Sequence, residues 1–432
     1  MTTTSTIKLL RSSLFRAISA VLFFTFSFQA SATKLLIPMD ESQRDHLKAY
    51  GITYWVLQQD VPVEWLLNYR GGSFLIDHFL TVEHECTVRG VTYQIIADGQ
   101  AAAILAEIGD PEANMEVVKL EKAPKIAVYA PESFQPWDDA VALVMTYAEI
   151  PYERIYDQQV IAGTLPKYDW LHLHHEDFTG QYGKFYRSYH TAPWYVAQVQ
   201  ESEAMAAQLG FAKVSQMKGA VSRKIADYVA GGGYLFTMCS GTDSYDIALA
   251  AEGVDICAPE FDHDPVDPIA QKRLDFGKSF AFRDFKLITD PMVYEFSDID
   301  ATDIHGRIGQ PRDFFTLFDF SAKWDVVPTM LCQSHEQVVR GFMGQTTAFR
   351  KDLVKPGVLV MGENKAQGTV KYIHGEFGLG QWTFYGGHDP EDYQHMVGDP
   401  PTDLSLHPNS SGYRLILNNI LFPAARKRKQ KT

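Results

Sequence analysis

The stretch Gly231-Gly232-Gly233-Tyr234-Leu235-Phe236-Thr237-Met238-Cys239-Ser240-Gly241-Thr242-Asp243-Ser244 decides the reading of the fold. Three glycines end a helix-spaced apolar series, Val221, Ile225, Tyr228 and Val229. The apolar run 234–238 that follows is short and bounded by turn residues, which predicts a buried strand. A helical pattern resumes over 245–251. Cys239 therefore stands where a strand turns sharply into a helix. Free N–H groups and the dipole of a helix start stabilise a thiolate there, and aim donors at a developing oxyanion. An ordinary small core residue would fit the same position.

Working outward, strand and helix patterns alternate from residue 125. Strand runs are 126–129, 152–156 and 170–174; Val141, Val144, Met145 and Ala148 fall at helical spacing between the first two. This rhythm predicts an α/β domain, a parallel sheet with helices on both faces, with its site at the carboxyl ends of the strands. Residues 33–122 are expected to form a small leading domain with strands at 52–57 and 91–96, and 121–125 a linker. Residues 259–354 lose the βαβ rhythm and are expected to be an insertion or cap. The α/β domain is thus discontinuous, 123–258 and 355–422.

The ends read differently. Lys8, Arg11 and Arg16, the apolar run 17–28 and Ala30-Ser31-Ala32 follow the signal-peptide pattern, so 1–32 predicts an exported, periplasmic or secreted chain. Residues 423–432 form a basic tail. The chain has 432 residues, 46% hydrophobic, with a formal charge of −14. That balance argues against nucleic acid as the main partner. No later run is apolar enough to span a membrane. The four cysteines, Cys86, Cys239, Cys257 and Cys332, include no CxxC pair. A structural zinc site is therefore not expected, and an exported chain permits one or two disulfides.

A thiol nucleophile needs a base, and the base an orienting carboxylate. Gly386-Gly387-His388-Asp389-Pro390-Glu391 follows a strand over 381–385 and supplies His388, with Glu391 or Asp389 as orienter. The order of helix, glycines, apolar strand, Cys239, Ser240-Gly241 and helix resembles the nucleophile elbow of the class I glutamine amidotransferase-like superfamily. The 378–391 run resembles that superfamily's late strand ending in His-Pro-Glu, and the Gly-His ending of its trehalose-utilisation-type relatives. Asp389 is an extra residue in this pattern, and His174-His175-Glu176-Asp177 replaces a Gly-Gly turn. The resemblance implies a flavodoxin-like fold and a hydrolase or amidase. Cys239 would be the nucleophile, His388 the base and Glu391 its orienter. Ser240 and Gly241 would form the oxyanion side, and His174, His175 and Glu176 would line the pocket.

Alternatives come from the same residues. Ser240-Gly241-Thr242-Asp243-Ser244 resembles the pyrophosphate loop of ATP-dependent amide-forming enzymes, and the whole chain resembles exported proteins labelled asparagine synthetase B. A non-catalytic module binding a peptide or sugar on the same fold is a further reading. His172 and His174 share a strand face at a spacing that suits a metal, but pocket lining is the preferred reading and no metal is assigned. The acidic loop 260–267 lacks calcium-loop spacing. His374-Gly375-Glu376 ranks below His388 as a base. No cofactor is expected. The expected partner is a small-molecule, peptide or glycan substrate.

Overall fold

The computed structural model describes residues 32–131, 139–325, 330, 336–394, 396 and 398–425. The predicted signal peptide, except Ala32, lies outside the described residues, as do Cys332 and most of the basic tail.

The leading unit is a five-stranded sheet of order β4-β1-β3-β2-β5. Its strands are β1 (Ala32–Ile37), β2 (Val63–Leu67), β3 (Ser73–Asp77), β4 (Gln94–Ala97) and β5 (Glu116–Leu120). The expected strand at 52–57 is instead part of helix α1 (His46–Gln58). Asp45 caps that helix, accepting from the Lys48 N–H at 2.9 Å, and so satisfies a donor that would otherwise go unpaired. Ile52, Thr53, Tyr54, Val56 and Leu57 are all buried. A helix buried all round carries no 3.6-residue stripe, and its β-branched run mimics a strand. Gly51 permits this packing: a Cβ there would stand 1.8 Å from the Ala148 carbonyl oxygen. The expected strand at 91–96 shifts to β4.

The larger sheet is mixed and partly parallel. Its strands are β6 (Ile126–Tyr129), β7 (Glu153–Ile155), β8 (Trp170–Leu173), β9 (Tyr234–Met238), β10 (Phe314–Leu317), β11 (Val338–Arg340), β12 (Phe349–Arg350), β13 (Leu359–Asn364), β14 (Thr369–Phe377) and β15 (Gly380–Tyr385). Their order is β11-β10-β13-β14-β15-β9-β8-β6-β7, with β12 paired to β14. The five strands β15-β9-β8-β6-β7 run parallel. Beyond β15 the pairing is antiparallel.

Alternating side chains send the parallel strands into two cores. Val128, Trp170 and Phe236 pack on one face with α1, α2 (Ala140–Tyr147) and α5 (Ser411–Leu421). Ala127, Leu171, Leu173 and Leu235 pack on the other with α3 (Val214–Ala230) and α4 (Ser240–Ala250). The leading unit shares the first core. Leu47, Ile52 and Val56 of α1 join Val141, Leu417 and Ile420 there, and Tyr50 Oη donates to Asn418 at 2.5 Å. The 259–354 segment is more than a cap, because β10, β11 and β12 extend the sheet. Its 343–347 turn nevertheless reaches the carboxyl edge of the parallel strands, where the Thr346 hydroxyl donates to Asp243 at 2.8 Å.

Candidate active site

Cys239 joins β9 to α4 with φ 52° and ψ −143°. A non-glycine residue held there stores roughly 1–3 kcal/mol of strain, which persists only where surrounding contacts fix it. Those contacts come from the chain leaving β8. Gly241 N donates to the His174 carbonyl at 2.9 Å. The Ser240 hydroxyl donates to the His175 carbonyl at 3.0 Å and the Ser244 hydroxyl to the Glu176 carbonyl at 3.1 Å. Gly241 has no room for a side chain, since a Cβ would stand 2.1 Å from the His174 oxygen. The 240–244 segment is thus the first turn and more of α4, fully buried, rather than an extended loop.

The thiol is 2% exposed. Burial pushes it up to about 12, while the N–H groups of Ser240 and Gln345 pull the other way. It is therefore neutral at pH 7. Cys86, Cys239 and Cys257 are all free and buried, so the structure places no disulfide among these three.

His388 follows β15 through Gly386 and Gly387. Its N–H donates to the Met343 carbonyl at 2.9 Å, two residues before Gln345, whose N–H reaches the Cys239 sulfur. The His388 ring stands edge-on to His174 at 4.5 Å and stacks with His175 at 6.0 Å. His174 is also edge-on to His175 at 4.7 Å. Glu391, the expected orienter, pairs with His407 at 3.1 Å. Asp389 accepts from Glu391 N at 2.9 Å and the Thr402 hydroxyl at 2.8 Å. Glu176 accepts from Tyr156 Oη at 3.1 Å; burial raises its carboxyl, and Lys218 opposes that.

His172 does not line a pocket. Its ring bridges the Phe236 carbonyl at 3.1 Å and Asp139 at 3.0 Å inside the sheet. Asp139 caps α2 and holds His174 Nδ1 at 3.6 Å. The two imidazoles hold its carboxyl well below the usual range against the opposing effect of burial. Sequence reading passed over Asp139, although an Asp immediately before a helical run is a cap signal. It also passed over Lys371, fully buried, which donates to the Phe342 and Thr347 carbonyls at 2.5 and 2.9 Å. Burial pushes Lys371 down to about 7. Asp300 accepts from Thr346 N at 3.0 Å, and burial lifts it to about 6. Burial and the neighbouring Asp300 raise Asp243 well above its ordinary value.

The weaker candidates resolve simply. Lys213 Nζ fills the acidic loop, pairing with Asp255 at 2.6 Å, Asp262 at 3.0 Å and Asp264 at 2.5 Å. His374 is buried and bonds the Thr383 hydroxyl at 3.0 Å. An aromatic group reaches toward the elbow through Tyr294, which interacts electrostatically with Cys239: Phe185 is 5.6 Å from Tyr294 and 5.8 Å from Trp194. Tyr294 and Trp194 are about 40% exposed. The Tyr294 carbonyl accepts from Gln345 Nε2 at 3.1 Å. A separate cavity of about 410 Å³ opens at the amino ends of β8 and β9, beside Asp169, Gly233 and Tyr234. Among the described residues, no helix is long and apolar enough to cross a membrane.

No family model matches the chain, and no curated protein does. Among solved structures, cytoplasmic protein STM3548 from Salmonella typhimurium is similar at 10% identity and a TM-score of 0.33, over 70% of this chain and 100% of that one. Cytoplasmic protein STM1381 from Salmonella typhimurium LT2 is similar at 13% identity and 0.34, over 70% and 100%. Gan42B, a GH42 β-galactosidase, is similar at 11% and 0.25, over 62% of this chain and 28% of that one. Likenesses this distant carry no assignment of fold or activity.

Proposed function

We propose that this chain is an exported hydrolase of an amide or related acyl bond, working at the carboxyl edge of β8, β9 and β15. The reading takes the core as flavodoxin-like and class I amidotransferase-like. The parallel strands in chain order, β6, β7, β8, β9 and β15, lie in the spatial order 2-1-3-4-5, the order of doubly wound flavodoxin-like sheets. The single observation that carries the reading is the backbone at Cys239. A strained non-glycine residue at a strand-to-helix turn, with φ 52°, is the geometry of a nucleophile elbow. Export rests on the sequence pattern of residues 1–32 alone.

In this scheme the Cys239 sulfur attacks the acyl carbon as the His388 imidazole takes the thiol proton. The carbon–nitrogen bond breaks, and the amine leaves with the proton returned by His388. Water, deprotonated by the same imidazole, then cleaves the thioester and restores the thiol. General-base removal of the proton is required because the resting thiol is neutral. Ser240 N–H would meet the oxyanion once the sulfur has moved toward substrate, and Glu391 would have to exchange its His407 partner at 3.1 Å for His388 in order to act as orienter.

Turnover of a panel of N-acyl amide and ester substrates tests this. Cys239→Ala and His388→Gln should each lower kcat by at least ~100-fold, the usual scale for losing a nucleophile or base. Unchanged kcat in both variants would overturn it. One observation favours a second reading, a non-catalytic peptide- or sugar-binding module. The thiol is buried, and Tyr294, close enough to interact electrostatically with Cys239, joins a ring group with Phe185 and Trp194. Ligand binding that survives Cys239→Ala, with no turnover in either protein, would support that module. The asparagine synthetase-like reading gains nothing from 240–244, where Gly241 N–H is held by the His174 carbonyl, Thr242 N–H by the Cys239 carbonyl and Ser244 N–H by the Asp243 carboxylate.

A further inference from the structure

We propose that His174, His175 and His388 together bind one divalent transition metal of the zinc, cobalt or nickel class. One ligand atom from each lies within 4.8 Å of the others. Tetrahedral zinc with nitrogen ligands at about 2.0–2.1 Å holds them about 3.3–3.4 Å apart, so the rings would have to close by up to about 1.4 Å from the 4.8 Å limit. Imidazole suits these metals, and not magnesium or calcium, which take oxygen ligands.

His174 supplies the independent observation. It is 2% exposed, yet neither ring nitrogen has a hydrogen-bond partner. A buried polar atom left so is costly and calls for an explanation. Its Nδ1 lies 3.6 Å from Asp139, the outer carboxylate that commonly orients a metal-bound imidazole. Nε2 is then the nitrogen left for a metal, with the His175 and His388 rings centred 4.7 and 4.5 Å from the His174 ring. The backbone is braced as well. The carbonyls of His174 and His175 are held by Gly241 and Ser240, and His388 N by Met343.

Two other side-chain clusters fail the same comparison. In Asp139, His172 and His174, both His172 nitrogens are already engaged. In Asp255, Cys257 and Asp262, the Lys213 ammonium pairs with both carboxylates, and the Cys257 thiol donates to the Thr179 carbonyl at 3.4 Å.

The site shares His388 with the proposed thiol chemistry: a metal-bound His388 cannot accept the Cys239 proton, so metal binding and acyl transfer exclude one another. The test is read without substrate, so the two readings fail separately. Full-length protein, freed of any tag and stripped by chelator, is titrated with cobalt(II) and followed by its visible absorption. Zinc(II) is followed by calorimetry. One equivalent of cobalt should bind with the intense bands of a tetrahedral site. His174→Ala and His388→Ala should each weaken binding at least ~10-fold, the lower end of losses from altering even an outer-shell partner. His263→Ala, at an 84% exposed side chain, should leave it unchanged. Circular dichroism separates lost binding from lost folding, and His175→Ala, at a less buried ring, serves if His174→Ala does not fold. Absence of one-equivalent binding, or equal affinity in all folded variants, overturns the site.

Discussion

Replacing Lys218 with methionine removes one charge and keeps the aliphatic stem. Lys218 Nζ is 2.9 and 3.1 Å from the two oxygens of Asp157. It donates to Tyr129 Oη at 2.9 Å and Tyr156 Oη at 3.1 Å, and lies 4.4 Å above the Tyr156 ring. Both ends are buried, at 5% and 1% exposure. A buried pair gains little net stability over an apolar substitute, but removing one member strands the other. The single variant should therefore lose about 3–5 kcal/mol in urea unfolding at pH 7. Adding Asp157→Asn removes the stranded charge and should recover most of the loss. A Lys218→Met penalty below about 1 kcal/mol, or no recovery in the double variant, would refute the reasoning. The same variant should push Glu176 further toward its neutral form, because Lys218 now opposes the burial that raises it.

Three further outcomes are expected. Gly241→Ala should destabilise by about 1–3 kcal/mol, the usual cost of overpacking, because the new Cβ meets the His174 oxygen at 2.1 Å; a neutral effect in thermal melting would contradict the braced elbow. Burial lowers His374 to about 4, so the unfolded chain takes that proton first as pH falls from about 6.5. His374→Gln, which keeps a partner for Thr383, should remove up to about 1.4 kcal/mol per pH unit of acid destabilisation between pH 6 and 4.5; parallel stability curves for the two proteins would refute this. Iodoacetamide at pH 7.5, which offers no acyl group to seat against the oxyanion donors, should leave Cys86, Cys239 and Cys257 unlabelled in the native protein and modify them on denaturation, read by peptide mass spectrometry. Fast native labelling of Cys239 would show that the thiol is not the buried neutral group found here.

Much of the α/β unit was legible because its strands are short apolar runs between turn residues. The runs 126–129 and 234–238 became β6 and β9 without change. The elbow was legible because a cysteine followed directly by Ser-Gly and a helical pattern leaves no room for a longer turn. Residues 52–57 misled because full burial erases the periodicity that separates helix from strand. The extension of the sheet by β10 and β11 rests on pairings across 20 to 50 residues, which local patterns do not carry. Partners were harder still. Glu391 looked like an orienter by position, but His407 competes for it. The acidic loop looked open because Lys213, about 50 residues earlier, fills it only in space. Asp139, at the start of α2, draws its importance from His172 on β8 and His174 just beyond it, at least 33 residues away in the chain.

The central claim, that Cys239 at the carboxyl edge is an acyl-accepting nucleophile, is met most directly by intact-mass spectrometry with activated acyl esters. The account predicts a single acyl adduct on native protein, mapped to Cys239, absent in Cys239→Ala and strongly slowed in His388→Gln. An adduct on another residue at the same rate in all three proteins, or none on the native chain while it binds the ester, would contradict it.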